Sequence, residues 1–138
     1  MNIRAFQASD ESAVIQLWQR AGLIRSWNNP HKDILRKLKV QSQWFLVAEQ
    51  DQKINASIMA GYDGHRGWIN YLAVDPMSQG SGIGRKMMEH AEQLLLEFGC
   101  PKINLQIRRG NREVIAFYEK LGYLEDDVVS FSKRLIED

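Results

Sequence analysis

The run Leu72-Ala73-Val74-Asp75-Pro76-Met77-Ser78-Gln79-Gly80-Ser81-Gly82-Ile83-Gly84-Arg85-Lys86 constrains this chain more than any other part of it. A short apolar stretch stops at Asp-Pro, a loop passes through alternating glycines, and a long amphipathic segment begins. That order reads as a strand, a tight loop and a helix start whose first N–H groups have no partner inside the helix. Such helix starts attract anions, because free amides and the macrodipole act together. The glycines remove the Cβ atoms that would hold a phosphate away from the backbone. A phosphate-bearing ligand is the first expectation. The competing reading is a glycine-rich turn that only joins strand to helix.

The glycine spacing narrows the ligand. Gly80-x-Gly82-x-Gly84 is not the G-x-G-x-x-G of dinucleotide sites, and the chain has no G-x-x-x-x-G-K-[ST] run. A nucleotide-binding module is therefore disfavoured. The net charge of +1 gives no global attraction for nucleic acid or a membrane surface, so a polyanion must be met locally. Arg85 and Lys86 are available for that, although both also read as solvated helix residues.

With 138 residues the expectation is a single domain, 1–138. The lone Cys100 excludes an internal disulfide and fits a reducing compartment. The first residues do not read as a signal peptide, and no apolar run approaches membrane-spanning length. A cytoplasmic protein without a metal site is expected.

Asn2 to Phe6 alternates as a first strand, and Ser9 or Asp10 suits the cap of a helix. That helix carries Ala13, Val14, Leu17, Trp18 and Ala21 on one face and stops at Gly22, with Trp18 as ordinary core. A loop from Leu23 to Pro30 leads to a second helix over His31 to Val40. Trp27 in that loop either covers a substrate pocket or plugs the loop onto the core. Trp44 to Glu49, Lys53 to Tyr62 and Trp68 to Val74 predict three strands joined by tight turns, an antiparallel meander.

Ile83, Met87, Ala91, Leu94, Leu95 and Phe98 define the buried face of a long helix, which Gly99 ends. Lys102 to Arg108 alternates as a half-polar strand, parallel to the one ending at Val74. Asn111 can cap a last helix bearing Val114, Ile115, Tyr118 and Leu121. Gly122 stops it, and Tyr123 to Ile136 supplies one or two closing strands. The expected class is mixed α+β (α/β) with a mostly antiparallel central sheet.

Gln79-x-x-Gly82-x-Gly84 after a strand ending Leu-Ala-Val resembles the acetyl-CoA signature of the GNAT acetyltransferase superfamily. Asn111-x-x-x-x-Ala116-Phe117-Tyr118-Glu119-Lys120-Leu121-Gly122-Tyr123 resembles the family's second signature, one helix and one strand later. Either motif alone is weak, whereas the two in order, with matching elements between them, cover the full length. Trp27-Asn28-Asn29-Pro30, Gly61 to Gly67, Gly99 to Ile103 and the ending Lys133 to Asp138 are similar to the small bacterial YpeA-type acetyltransferases.

The resemblance implies a sheet that bulges and splays between its fourth and fifth strands, with helices on both faces and acetyl-CoA in the gap. By the same resemblance Leu72, Ala73 and Val74 hold the pantetheine arm, and the Val74 N–H polarises the thioester carbonyl. A donor aimed at a developing oxyanion contributes on the order of 3 kcal/mol. Gln79, Gly80, Ser81, Gly82, Ile83, Gly84 and Arg85 would bind the pyrophosphate, and Asn111 the pantetheine, although capping alone explains Asn111.

Tyr118 is the expected acid. The departing CoA thiolate needs a hydrogen-bond donor, and a phenol supplies one; otherwise Tyr118 is a core residue of its stripe. Trp27, Asn28, Asn70, Tyr71 and Gln106 would line the acceptor side, open to a peptide N-terminus, an amino acid or a small amine.

The base is unassigned. Neutralising a lysine-like amine at pH 7 costs about 4.6 kcal/mol. Some branches of the family place a glutamate where this chain has Trp68, and others place one where it has Gln106, while Glu49, Asp63 and His65 are titratable groups near strand ends. The reading is an acetyl-CoA-dependent N-acetyltransferase; the alternative is a CoA-binding sensor or interaction protein without efficient catalysis. Homodimers are common in the family, and no interface is legible here.

Overall fold

The alternating stretches of the first half of the chain fold into a meander. A computed structural model describes residues 1–138. β1 (Asn2–Ala5), β2 (Phe45–Gln50), β3 (Lys53–Tyr62) and β4 (Gly67–Val74) pair antiparallel in that order, and β5 (Ile103–Asn104) joins β4 in parallel. The helices are α1 (Glu11–Arg20), α2 (Pro30–Lys37), α3 (Ile83–Phe98) and α4 (Arg112–Lys120). Residues 1–104 together with Asp138 form one compact unit, and residues 105–137 form a second.

In the first unit, Val14, Leu17 and Trp18 of α1 and Ile34 of α2 pack with Phe45, Val47, Met59 and Ala73 of the sheet. α3 buries Ile83, Met87, Met88, Ala91 and Leu95. Phe45 to Ala48 are all buried, as a strand covered on both faces requires. Full burial of a large apolar side chain contributes about 1.5–3 kcal/mol, so this double cover anchors β2 at the centre of the meander.

Local signals explain the helix ends. Asn29 Oδ1 accepts the Lys32 N–H at 3.0 Å, and Pro30 occupies the first turn, where its missing N–H costs nothing. α2 consequently begins one residue before the expected His31 and stops at Lys37 rather than Val40. Gly99, at φ 100°, ends α3 as a left-handed residue, and Cys100 N–H closes back onto Leu95 O at 2.9 Å. Asp10 precedes α1 without capping it. Its carboxylate accepts from Arg4 at 2.8 Å and from the Gln7 N–H at 2.8 Å.

Three expectations are corrected. The strand foreseen over Lys102 to Arg108 is two residues long, because the β4–β5 ladder holds only Gly67↔Ile103 and Trp68↔Asn104. No strand forms between Tyr123 and Ile136. Val128, Val129, Phe131 and Leu135 are exposed there, and alternation without a ladder or burial does not make a strand. Phe98 stands on the helical stripe but is 61% exposed, because it sits at the last turn of α3, where it touches Trp44 and Tyr62 edge-on.

Candidate active site

β4 does not run straight into its loop. Met59 pairs with Asn70 and Ser57 with Ala73, so Tyr71 and Leu72 together oppose the single residue Ile58. This is a β-bulge with one extra residue on β4. Tyr71 takes φ 51°, a left-handed conformation that is rare for a bulky side chain. On its other side β4 is paired only at Gly67 and Trp68, so the ladder stops before the bulge.

Beyond the bulge the backbone is fixed again. The Asp75 N–H donates to Asn55 O at 2.8 Å, directed at β3. Successive residues of a strand alternate in hydrogen-bonding direction, so the Val74 N–H and C=O face the edge away from β3. The Val74 carbonyl there accepts a hydrogen bond from Gln79 Nε2 at 3.4 Å. Asp75 then shapes the turn. Its carboxylate accepts the Met77 N–H at 3.0 Å and Arg20 at 2.8 Å, and these partners hold it below the usual carboxylate range, the Met77 N–H most of all.

The Ser81 hydroxyl donates to Ser78 O, and Gly80 and Gly82 adopt φ 84° and 85°. Gly82 is the N-cap of α3 and no side chain caps the helix; the Lys86 N–H is bonded to Gly82 O at 3.1 Å. The N–H groups of Ile83, Gly84 and Arg85 precede that bond and have no intrahelical acceptor. A Cβ built on Gly80 or Gly82 would meet nothing within 4 Å, so the space over these amides is open. Arg85 is exposed, 4.0 Å from Glu89, and can swing toward an anion. Glycine backbone, uncapped amides and a nearby cation fit a diphosphate, and an outward amide at Val74 fits a carbonyl oxygen.

On the acceptor side, the Tyr71 hydroxyl donates to Asp33 of α2 at 2.7 Å, and its ring stacks on Trp18 at 3.9 Å between centroids. Burial, followed by Asp33, pushes the Tyr71 phenol above its ordinary pKa. Asn70 is exposed next to it on β4, Trp27 is 49% exposed in the loop before α2, and Asn28 is half-buried with its N–H on Arg25 O at 3.1 Å.

In the second unit Asn111 caps α4, its Oδ1 accepting the Val114 N–H at 3.4 Å. Tyr118 is buried with its ring edge-on to Phe117 and Tyr123, at 5.0 and 5.6 Å, and burial pushes its phenol well above the usual value. A phenol so shifted stays protonated at working pH and remains a donor. Gln106 Nε2 donates to Ser130 Oγ at 2.6 Å.

The titratable groups weighed as bases are engaged elsewhere or exposed. Glu49 accepts from Arg4 at 3.0 Å. Asp63 accepts from the N–H groups of Arg66 and His65 at 2.7 and 2.8 Å and from Trp68 Nε1 at 3.2 Å, and the Arg66 N–H above all holds its pKa low. It is a turn residue. His65 is exposed beside Arg66.

Trp18, plain core by its place on the α1 stripe, and Ser57 and Asp33, which belong to no motif, all bear on the bulge. Trp18 Nε1 donates to Ser57 Oγ at 2.8 Å, and that hydroxyl donates on to Tyr71 O at 3.0 Å, beneath the bulge. The available signal was a serine inside the apolar run Ala56-Ser57-Ile58-Met59-Ala60.

The profile of the acetyltransferase (GNAT) family matches residues 10–123. An acetyltransferase of Pectobacterium atrosepticum is 49% identical over 138 residues, covering 100% of this chain and 98% of the relative. One of Sodalis glossinidius is 49% identical over 139 residues, with the same coverage of 100% and 98%. Among solved structures, the ribosomal-protein-S18-alanine N-acetyltransferase of Escherichia coli superposes with a TM-score of 0.76 at 27% identity, covering 91% of this chain and 78% of the other. A Pyrococcus horikoshii protein superposes at 0.80 and 22% identity over 94% and 92%, a likeness of fold.

Proposed function

Since the chain belongs to the GNAT acetyltransferase family, we propose that it moves an acetyl group from acetyl-CoA to a primary amine by direct attack on the thioester. The observation that carries this is the bulged β4, which turns the Val74 N–H outward and leads straight to the open amides of α3. The amides from Gly80 to Arg85, with the Gln79 side chain ordering their loop, hold the diphosphate. Leu72, Ala73 and Val74 hold the pantetheine, with Asn111 as a further partner. The Val74 N–H takes up charge as it develops on the carbonyl oxygen.

The neutral amine nitrogen bonds to the carbonyl carbon, the carbon–sulfur bond breaks with its electron pair going to sulfur, Tyr118 donates to the departing sulfur, and the proton shed by the nitrogen passes to solvent water. Trp27, Asn28, Asn70, Tyr71 and Gln106 form the acceptor side. The E. coli enzyme is named for an alanine of ribosomal protein S18, which makes an alanine-initiated peptide the first acceptor to try. The chain works as one N-acetyltransferase domain, since the family match runs across both compact units, and the lone buried Cys100 suits a cytoplasmic setting.

Thiol release from acetyl-CoA across a panel of peptide, amino-acid and small amines tests the reading. Acceptor-dependent release supports it. CoA binding without release for any amine favours a CoA-binding sensor, the reading to which the engaged carboxylates of Glu49 and Asp63 point.

A further inference from the structure

We propose that Ser57, Trp18 and Asp33 are positioning residues for the transfer reaction, locking the bulge at Tyr71 and thereby aiming the Val74 amide. The proposal rests on the N-acetyltransferase reading and deepens it. The other non-glycine residues with positive φ lie in connections, Gln41 after α2 and Asp51 and Gln52 in the turn between β2 and β3, whereas Tyr71 lies inside a strand. A left-handed tyrosine persists only where its surroundings over-determine it.

Here three separate atom groups are held by three elements. The Ser57 hydroxyl of β3 takes the Tyr71 carbonyl, the Trp18 indole of α1 stacks on the ring, and the Asp33 carboxylate of α2 takes the phenol. Ser57 and Trp18 are both fully buried and bonded to each other, so neither turns away without leaving a polar group unpaired. Val74 lies three residues beyond Tyr71, and Ala73, between them, pairs with Ser57 itself. Releasing Tyr71 lets the bulge migrate. A one-residue slip then reverses which way the Val74 N–H points.

The consequence is specific to the thioester. Acetyl-CoA presents a carbonyl to that amide, and CoA does not, while both present the same diphosphate to α3. Titration calorimetry with each ligand on the full chain, with circular dichroism as the fold control, reads the difference. For Ser57→Ala and Asp33→Ala, affinity for acetyl-CoA is expected to fall about fivefold or more beyond any fall for CoA, which shares the pantetheine and diphosphate contacts but not the carbonyl. Asp33→Asn keeps an oxygen for the phenol and is expected to restore the preference. If Ser57→Ala does not fold, the Asp33 pair decides.

Equal losses for both ligands, or none for either, overturn the proposal, because a merely structural role would not tell the thioester from the thiol. A wild-type protein that binds neither ligand removes the functional reading itself, a result distinct from unselective loss in the variants.

Discussion

Gly82→Ala separates what the glycine loop does for the fold from what it does for the ligand. Gly82 sits at φ 85° as the N-cap of α3, and an added Cβ would meet nothing within 4 Å. The free protein therefore bears only the left-handed strain, about 1–2 kcal/mol. No side-chain cap is lost, and no buried contact is disturbed. A diphosphate lying on the amides of Ile83, Gly84 and Arg85 would use the open space that the methyl fills.

Affinity for CoA should accordingly fall about tenfold or more, a further 1.4 kcal/mol on top of the folding cost. Gly22→Ala is the matched control. Its φ of 74° and open surroundings impose the same strain at the end of α1, outside the run of amides that opens α3. Urea denaturation measures the folding cost and titration calorimetry the affinity. If both variants lose similar stability and Gly82→Ala keeps wild-type affinity for CoA, the diphosphate does not lie on this helix start. If Gly82→Ala instead loses more than about 3 kcal/mol of stability, strain alone does not account for the change.

Tyr118→Phe should lower turnover at least tenfold, about 1.4 kcal/mol, while CoA affinity changes less than about twofold; equal turnover would remove the phenol from the mechanism. Because burial keeps that phenol protonated and no base is assigned, the rate should climb from pH 7 to 9 as the amine neutralises, whereas a bell centred near pH 6–7 would reveal a tuned carboxylate or histidine. Lys37, whose Nζ donates to Ala60 O at 2.5 Å, is lowered by burial from 10.5 to about 8. The folded state then binds fewer protons than the unfolded one between those values, so stability rises with pH across that window. Relative to Lys37→Met, the wild type should gain stability by urea denaturation from about pH 8 through 10.5; a constant difference would contradict the shift. Gly67→Ala would bring a Cβ to 2.8 Å from Cys100 Sγ and should cost about 1–3 kcal/mol. Cys100→Ala should recover much of that loss in a double-mutant cycle, and no recovery would place the clash elsewhere.

What could be read along the chain was what neighbours in sequence settle among themselves. The order of elements, the stripes of α1 and α3, the cap at Asn111 and the glycine stops at Gly99 and Gly122 all follow from local dihedral preferences and hydrogen bonds within a turn or two. The loop from Asp75 to Gly82 belongs with them, and so does the expectation that its free amides meet an anion.

The tertiary structure decided what depends on residues far apart. Trp18 and Ser57 are 39 positions apart, and Tyr71 and Asp33 are 38 apart, so no window of sequence holds the contacts that lock the bulge. The bulge itself is a mismatch in count between β3 and β4, visible only once the strands are paired. The alternation beyond Asn104 marks the opposite limit. It repeats every second residue, yet strand structure also needs a neighbour for its amides, and periodicity alone cannot provide one. A pattern along the chain states which faces are apolar, whereas pairing across space determines which backbone groups are left over to do chemistry.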